Sequence, residues 1–159
     1  MSKLYGFGDP DGFVFNMSVG YDLDGIKGRK VNTYINNMMD AGKTAQFKEC
    51  KKVLTELFPE EKDFIASISP NVSRSVTLST LHGCPPQEIE RIASYLLKEK
   101  HLHTFVKCNP TILGYKTARS ILDSMGYDYI VFDEHHFNED LQWEDAVPMF
   151  ERLQKLADK

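Results

Sequence analysis

The chain has 159 residues, of which 42% are hydrophobic and 26% charged, values typical of a single globular segment. Its net charge of −4, with lysine and arginine scattered among acidic residues, argues against a basic face for nucleic acid or anionic lipid. No apolar run approaches the roughly 20 residues of a membrane span, and the N-terminus lacks the apolar core of a signal peptide, so we expect a cytoplasmic protein without membrane contact.

The first part of the chain predicts one strand followed by helices. Residues 13–19 are rich in aromatic and β-branched side chains and become polar toward their end, as expected of a strand that opens onto solvent or ligand. Residues 31–41 and 45–58 place apolar side chains at helical spacing. No internal repeat interrupts this order, so we treat residues 1–159 as one α/β segment.

From residue 75 the pattern becomes regular. Strand 75–81 precedes a helix that starts at Pro85 and Pro86, and strand 104–109 precedes a helix that Thr111 can cap and Gly126 can end. Strand 127–132 is followed by a polar stretch, 133–140, and by a last helix in which Pro148 is tolerable only in the first turn.

Strands that alternate with helices imply right-handed crossovers and a parallel sheet, so the predicted fold class is α/β with consecutive βα units. Four strands are half of the eight in a (β/α)₈ barrel, which takes about 250 residues. The chain is therefore either part of such a barrel or a small doubly wound sheet, and length alone favours the second.

In parallel α/β folds, ligands meet the loops beyond the carboxyl ends of the strands. In this sequence those loops contain most of the chemically distinctive side chains. We select six of them as candidates: Asn16, Ser79, His82, Cys84, Lys107 and Asn109.

Lys107 and Cys84 invite both functional and structural interpretations. A lysine within an apolar strand is costly unless it meets an anion or an electron-rich ring, although its ammonium can also reach solvent at the strand end. Cys84 precedes a helix start, where peptide dipoles can lower a thiol pKa, but a buried inert thiol fits equally. His82 is either a proton donor or a loop hydrogen-bonding group.

We predict no metal site. Residues 133–136 read Asp-Glu-His-His, but adjacent residues on an extended chain point to opposite faces and rarely chelate together. Cys50, Cys84 and Cys108 are widely spaced and form no C-x-x-C motif, which indicates reduced thiols rather than a disulfide framework or a zinc or iron–sulfur site.

Two long motifs, residues 82–90 (HGCPPQEIE) and 105–115 (FVKCNPTILGY), resemble the YgfK-type selenate reductase subunits. These are large flavo-iron–sulfur proteins similar to dihydropyrimidine dehydrogenase. Residues 15–21 and 22–27 fit the same family, so the resemblance covers nearly the whole chain.

This resemblance implies a central slice of an FMN barrel of the dihydroorotate-dehydrogenase type, truncated from a larger domain. Residues 106–110 (VKCNP) are similar to the strand that provides a lysine to the flavin, so Lys107 becomes the first cofactor-binding candidate, with Asn109, Asn16 and Ser79 beside it. Cys84 and His82 become the catalytic candidates. The family's preceding strand ends in Asn-Leu-Ser-Cys-Pro, whereas here the Asn is absent and the Cys is displaced.

The resemblance also implies partners. The iron–sulfur and FAD/NAD(P) sites would lie in other domains of the parent, which acts on a small-molecule substrate, and FMN is expected in the complete parent rather than in this fragment. Half a barrel leaves strand edges and an apolar inner face open, so we expect a homo-oligomer. Two alternatives stay open: a lyase or aldolase in which Lys107 forms a Schiff base, and a non-catalytic scaffold.

Overall fold

Three strands form one parallel sheet in the computed structural model, which describes Gly6, residues 15–80 and residues 83–158. The strands are β1 (Asn16–Val19), β2 (Ser75–Ser79) and β3 (His103–Lys107), and they lie in the order β1-β2-β3. Val19 pairs with Leu78, which in turn pairs with Val106. All three carboxyl ends therefore lie at the same edge of the sheet.

Helices occupy most of the chain between and after the strands. Their bounds are α1 Leu23–Lys27, α2 Arg29–Met39, α3 Ala45–Leu57, α4 Lys62–Ser67, α5 Pro86–Lys98, α6 Tyr115–Ser124, α7 Glu134–Glu139 and α8 Trp143–Ala157. Two short 3₁₀ helices, Pro59–Glu61 and Pro110–Leu113, complete the described elements.

The core lies on one face of the sheet. Alternation along the strands directs Met17, Val19, Val76 and Leu78 to this face, where all four are buried. The apolar side of α5, which includes Ile89 and Leu96, packs in the same cluster, and α8 adds Met149 and Leu153. Local signals agree with this packing, since α5 begins with Pro86 in its first turn.

The other face of the sheet is polar and open among the described residues. Asn16 and Ser18 from β1, Thr77 from β2 and His103 from β3 lie on it, and the Asn16 amide donates to the Thr77 hydroxyl over 2.6 Å. Phe105, 59% exposed, is the large apolar side chain of this face. The expectation of an apolar inner face was therefore wrong, because side chains that hydrogen-bond to one another or to water occupy these strand positions.

The α/β class and the parallel βα units are confirmed. Strands predicted at 75–81 and 104–109 are present as β2 and β3, although Leu81 lies outside the described residues, as do residues 13 and 14 of the first predicted strand. The helices predicted at 31–41 and 45–58 correspond to α2 and α3.

The fourth predicted strand, 127–132, was wrong. The segment forms a turn and an extended stretch without a strand partner, and Val131 is 95% exposed. Arg119 on α6 donates from its guanidinium to the carbonyl oxygens of Tyr127 and Ile130, at 2.8 and 2.5 Å. The ring of Phe132 stacks on Phe137, with centroids 5.1 Å apart. Local side-chain contacts thus satisfy carbonyls that a sheet ladder would otherwise use.

Three smaller expectations also differ from the structure. Thr111 lies within a 3₁₀ helix and does not cap α6, whose N-cap is Gly114 at a φ of +76°. The polar stretch contains a helix, α7, capped by the Asp133 carboxylate. Pro148 lies in the second turn of α8, where its missing N–H leaves one helical hydrogen bond unmade, while burial of Ala146 and Met149 holds the helix in place.

A substitution in the buried face tests this arrangement. Leu78→Ala should lower the free energy of unfolding by about 2–5 kcal/mol, because Leu78 is fully buried at the centre of the sheet. Ser18→Ala, on the open face, should change it by no more than about 0.5 kcal/mol. Urea denaturation followed by circular dichroism measures both. Equal losses in the two variants would show that the two faces are not distinguished by burial.

Candidate active site

The carboxyl ends of β2 and β3 bring two of the predicted cofactor-binding residues together. Ser79 and Lys107 are register partners, and both lie on the open face of the sheet. Lys107 is exposed at the end of β3, which agrees with the interpretation that its ammonium reaches solvent at the strand end. Among the described residues its ammonium group has no hydrogen bond or ion pair, which leaves its charge available to a ligand.

The loop after β1 approaches the same place closely. A Cβ atom on Gly20 would lie 2.9 Å from the carbonyl oxygen of Ser79, so the absence of a side chain allows the two backbones to pack. The carboxyl ends of all three strands are thereby gathered at one edge. This edge is the place at which parallel α/β proteins bind their ligands.

A narrow crevice of about 10 Å³ lies between the loops that follow β2 and β3, enough for no more than one water molecule. Its lining residues include Thr80, Cys84, Lys107, Cys108, Asn109 and Asp140. Three of the six candidates therefore share one crevice. Larger surface clefts, of about 510 and 630 Å³, lie along the outer side of α5 and beside the amino end of β3.

Asp140 connects the loops of this crevice and was missed in the sequence. One carboxylate oxygen accepts from the backbone N–H of Gly83 at 2.8 Å, and the other accepts from the Asn109 amide at 3.0 Å and the Thr111 hydroxyl at 3.2 Å. Asn109 was predicted as a cofactor contact, and its amide is directed to Asp140. In a sequence, an Asp that precedes a helix predicts only a capping role. Nothing in the residues next to Asp140 therefore predicts its contacts with distant loops.

The electrostatics of Cys84 favour the inert-thiol interpretation of the two left open by the sequence. Burial, and then the nearby Glu88 carboxylate, raise the pKa of the Cys84 thiol above its usual value. Both effects oppose the lowering that peptide dipoles at the start of α5 would produce. Burial also raises the pKa of Cys108. A protonated thiol at neutral pH can donate a proton but is a poor nucleophile.

Asn16 and Ser79 are not among the residues that line the crevice. Asn16 lies at the amino end of β1, opposite Ser75, so its selection as a residue at the ligand-binding edge was wrong. Its side chain bonds Thr77 and accepts from the Ser75 hydroxyl. His82 lies outside the described residues.

The acidic and histidine segment forms local ion pairs on α7. The Asp133 carboxylate lies 2.8 Å from Nδ1 of His136, and this hydrogen bond raises the pKa of His136, while hydrogen bonds from the His136 backbone and ring lower that of Asp133. His135 lies 3.2 Å from Glu139. Across the described ranges, no three His, Cys, Asp or Glu side chains are grouped to hold a metal ion.

Parallel βα units with polar groups gathered at the carboxyl edge of the sheet define the class of this protein as α/β. No helix in residues 15–80 or 83–158 is long and apolar enough to cross a membrane. Comparison with known proteins gives the family. The whole chain, residues 1–159, matches the family described as oxidoreductase YgfK, N-terminal TIM-barrel domain, and belongs to it.

Two relatives extend this result. The proteins named "Putative oxidoreductase YgfK" from Escherichia coli K12 and from Escherichia coli O157:H7 are each 44% identical to this chain over 160 residues. The match covers 91% of this chain and 16% of each relative, so the chain spans about a sixth of their length. No solved structure gives a significant match.

The raised pKa of Cys84 predicts its reactivity. Its alkylation rate with iodoacetamide should rise with pH around a midpoint above that of free glutathione, because the thiolate is the reacting form. Glu88→Gln should lower this midpoint, since it removes the second cause of the raised pKa while an oxygen can still accept from the Leu23 N–H. Peptide mapping by mass spectrometry measures the rate at each pH.

Glu99→Gln is the matched control, because Glu99 lies at the opposite end of α5. It should leave the Cys84 midpoint unchanged. A midpoint at or below that of glutathione in the unmutated chain would contradict the assigned electrostatics.

Proposed function

We propose that this chain is part of the flavin-binding barrel of an FMN-dependent oxidoreductase, in which Lys107 and Ser79 contact the cofactor. The observation that carries this proposal is the pairing of Lys107 with Ser79 on the open face, at the carboxyl edge of the sheet. A cation beside a hydroxyl suits the polar, electron-accepting side of an isoalloxazine ring. Both groups face space that further barrel strands would enclose.

The donor set fits FMN in part. Lys107 supplies a positive charge without a protein partner among the described residues, and Gly20 lets the backbone of the first loop pack closely at this edge. Asn109 adds an amide oxygen, its nitrogen being directed to Asp140. Asn16 does not fit, because it lies at the amino end of β1. When bound, FMN supplies the capacity to accept and release electrons.

Cys84 acts in this proposal as a proton donor to the substrate. Its thiol lines the crevice next to Lys107, and its raised pKa keeps the proton in place at neutral pH. His82, two residues earlier in the same loop, is the second candidate for moving a proton. A proton donor beside an electron carrier allows a substrate to gain electrons and a proton in one site.

The remaining parts of the reaction belong to a longer protein, of which this chain is a fragment. That protein is of the selenate-reductase type, similar to dihydropyrimidine dehydrogenase, and passes electrons between NAD(P)H, iron–sulfur centres and a small-molecule substrate. Two observations support a fragment: the relatives are far longer, and the three strands among the described residues fall short of the eight in a complete barrel. The free thiols of Cys50, Cys84 and Cys108 suit the reducing cytoplasm.

Self-association is part of the proposal. β1 and β3 each have one edge without a partner among the described strands, and α6 with the following segment exposes Ile121, Met125 and Tyr129. Unpaired edges beside exposed apolar side chains favour association. Light scattering of the chain at high concentration should give a mass above 18.2 kDa, and a monomer throughout would contradict it.

The aldolase alternative gains no support, because Lys107 lies in the open rather than in a desolvated pocket.

Lys107→Met tests the flavin contact in the longer protein. The substitution keeps much of the stem volume and removes the charge, so FMN should bind about tenfold more weakly, a difference of ~1.4 kcal/mol. The reduction potential should fall, because the cation stabilises the reduced, anionic flavin more than the oxidised one. Fluorescence titration of the apoprotein and redox titration measure the two effects.

Lys98→Met, at the end of α5, is the control and should change neither quantity. Unchanged FMN affinity and potential in Lys107→Met would reduce Lys107 to a solvated strand residue.

A further inference from the structure

The Asp140 side chain accepts hydrogen bonds from three residues distant in sequence, more than any described candidate that was selected from the sequence. Its carboxylate accepts a hydrogen bond from the Gly83 N–H in the loop after β2. It also accepts from the Asn109 amide and the Thr111 hydroxyl in the loop after β3. Gly83 immediately precedes Cys84, and Asn109 lies two residues after Lys107. One side chain therefore joins the loop that carries the thiol to the loop that follows the lysine.

The chemistry of a carboxylate suits this role. It accepts through two oxygens and donates nothing, so it can receive three donors that come from two directions. Hydrogen bonds to an ionised acceptor are also stronger than those between neutral groups. A neutral, non-accepting side chain at position 140 would leave the Gly83 N–H and the Asn109 amide without this partner.

The backbone of Asp140 is held in place by contacts at the junction of α7 and α8. It follows the last residue of α7, and the Gln142 amide donates to the Asp140 carbonyl at 2.7 Å and to the Phe137 carbonyl at 2.8 Å. Gln142 then serves as the N-cap residue of α8, which packs on α5. The carboxylate is thus anchored to the helical layer rather than to a free loop.

We propose that Asp140 is a positioning residue of the oxidoreductase site, which sets the distance between the Cys84 thiol and the Lys107 ammonium by tying their two loops together. The inference rests on the proposed function for the roles of Cys84 and Lys107. Asp140 acts through Gly83 and Asn109, and it neither transfers a proton nor contacts the cofactor.

The test compares two substitutions at position 140 in the flavin-free chain. Asp140→Ala removes the contacts with Gly83, Asn109 and Thr111 and should raise the alkylation rate of Cys84, relative to the exposed Cys50 of the same molecule, by tenfold or more. Asp140→Asn keeps an oxygen for the Gly83 N–H, and rotation of the Asn109 amide can restore a second contact, so its ratio should rise by less than threefold. Asp123→Ala, which removes an exposed carboxylate paired with Arg119, should leave the ratio unchanged.

Amide hydrogen exchange separates positioning from a general loss of stability. Leu96 is fully buried in α5, and its amide should exchange at the same rate in all variants if Asp140 acts locally. If the Cys84-to-Cys50 alkylation ratio of Asp140→Ala stays within twofold of the unmutated value, the proposal is overturned. Amide exchange at Leu96 that accelerates as much as the alkylation of Cys84 also overturns it, because Asp140 would then stabilise the whole fold.

Failure of this inference can be told apart from failure of the proposed function. The thiol ratio is measured without flavin, whereas the proposed function fails when the longer protein binds no FMN. In that longer protein, Asp140→Ala should lower the rate of substrate reduction while Asp140→Asn restores most of it, and equal losses in both variants would overturn the positioning role.

Discussion

Burial of a single face of the three-stranded sheet is the constraint on which the rest of the structure depends. Side chains alternate along each strand, so sending Met17, Val76 and Leu78 into the helical layer necessarily turns their neighbours to the opposite side. Because the strands are parallel, this arrangement also brings their carboxyl ends to one edge. The polar open face and the candidate site at that edge are both consequences of where the apolar side chains are buried.

Contacts between residues distant in sequence determine the site more than any motif does. The resemblance drew attention to residues 82–90 and 105–115, and the structure brings Cys84, Lys107 and Asn109 from them to one crevice. What relates the two loops is Asp140, far along the chain and attached to the helical layer. The pKa of the Cys84 thiol likewise depends on its surroundings in the fold, because burial and the Glu88 carboxylate raise it, whereas a position before a helix start can lower a thiol pKa.

Much of the fold could be predicted because its signals are local. The apolar spacing of α5 and its initial prolines predict a helix, and the β-branched run of β2 predicts a strand. Segment 127–132 has a strand's composition, but a strand also needs a neighbour to bond with, and Arg119 takes two of its carbonyls instead. Asp140 was missed for a related reason, since the donors Gly83, Asn109 and Thr111 each lie at least 29 residues away from it in sequence.

The hydroxyl and amide groups on the open face also bear on how such a protein can be assembled during synthesis. A nascent sheet that exposed valine and leucine on both faces would aggregate or recruit chaperones before later strands arrived. Here the Asn16 side chain donates to the Thr77 hydroxyl and accepts from the Ser75 hydroxyl, so polar groups of the open face are bonded to one another across β1 and β2. A sheet whose open face is mostly polar therefore exposes fewer apolar groups to non-specific contacts, with Phe105 as the large apolar exception among the described residues.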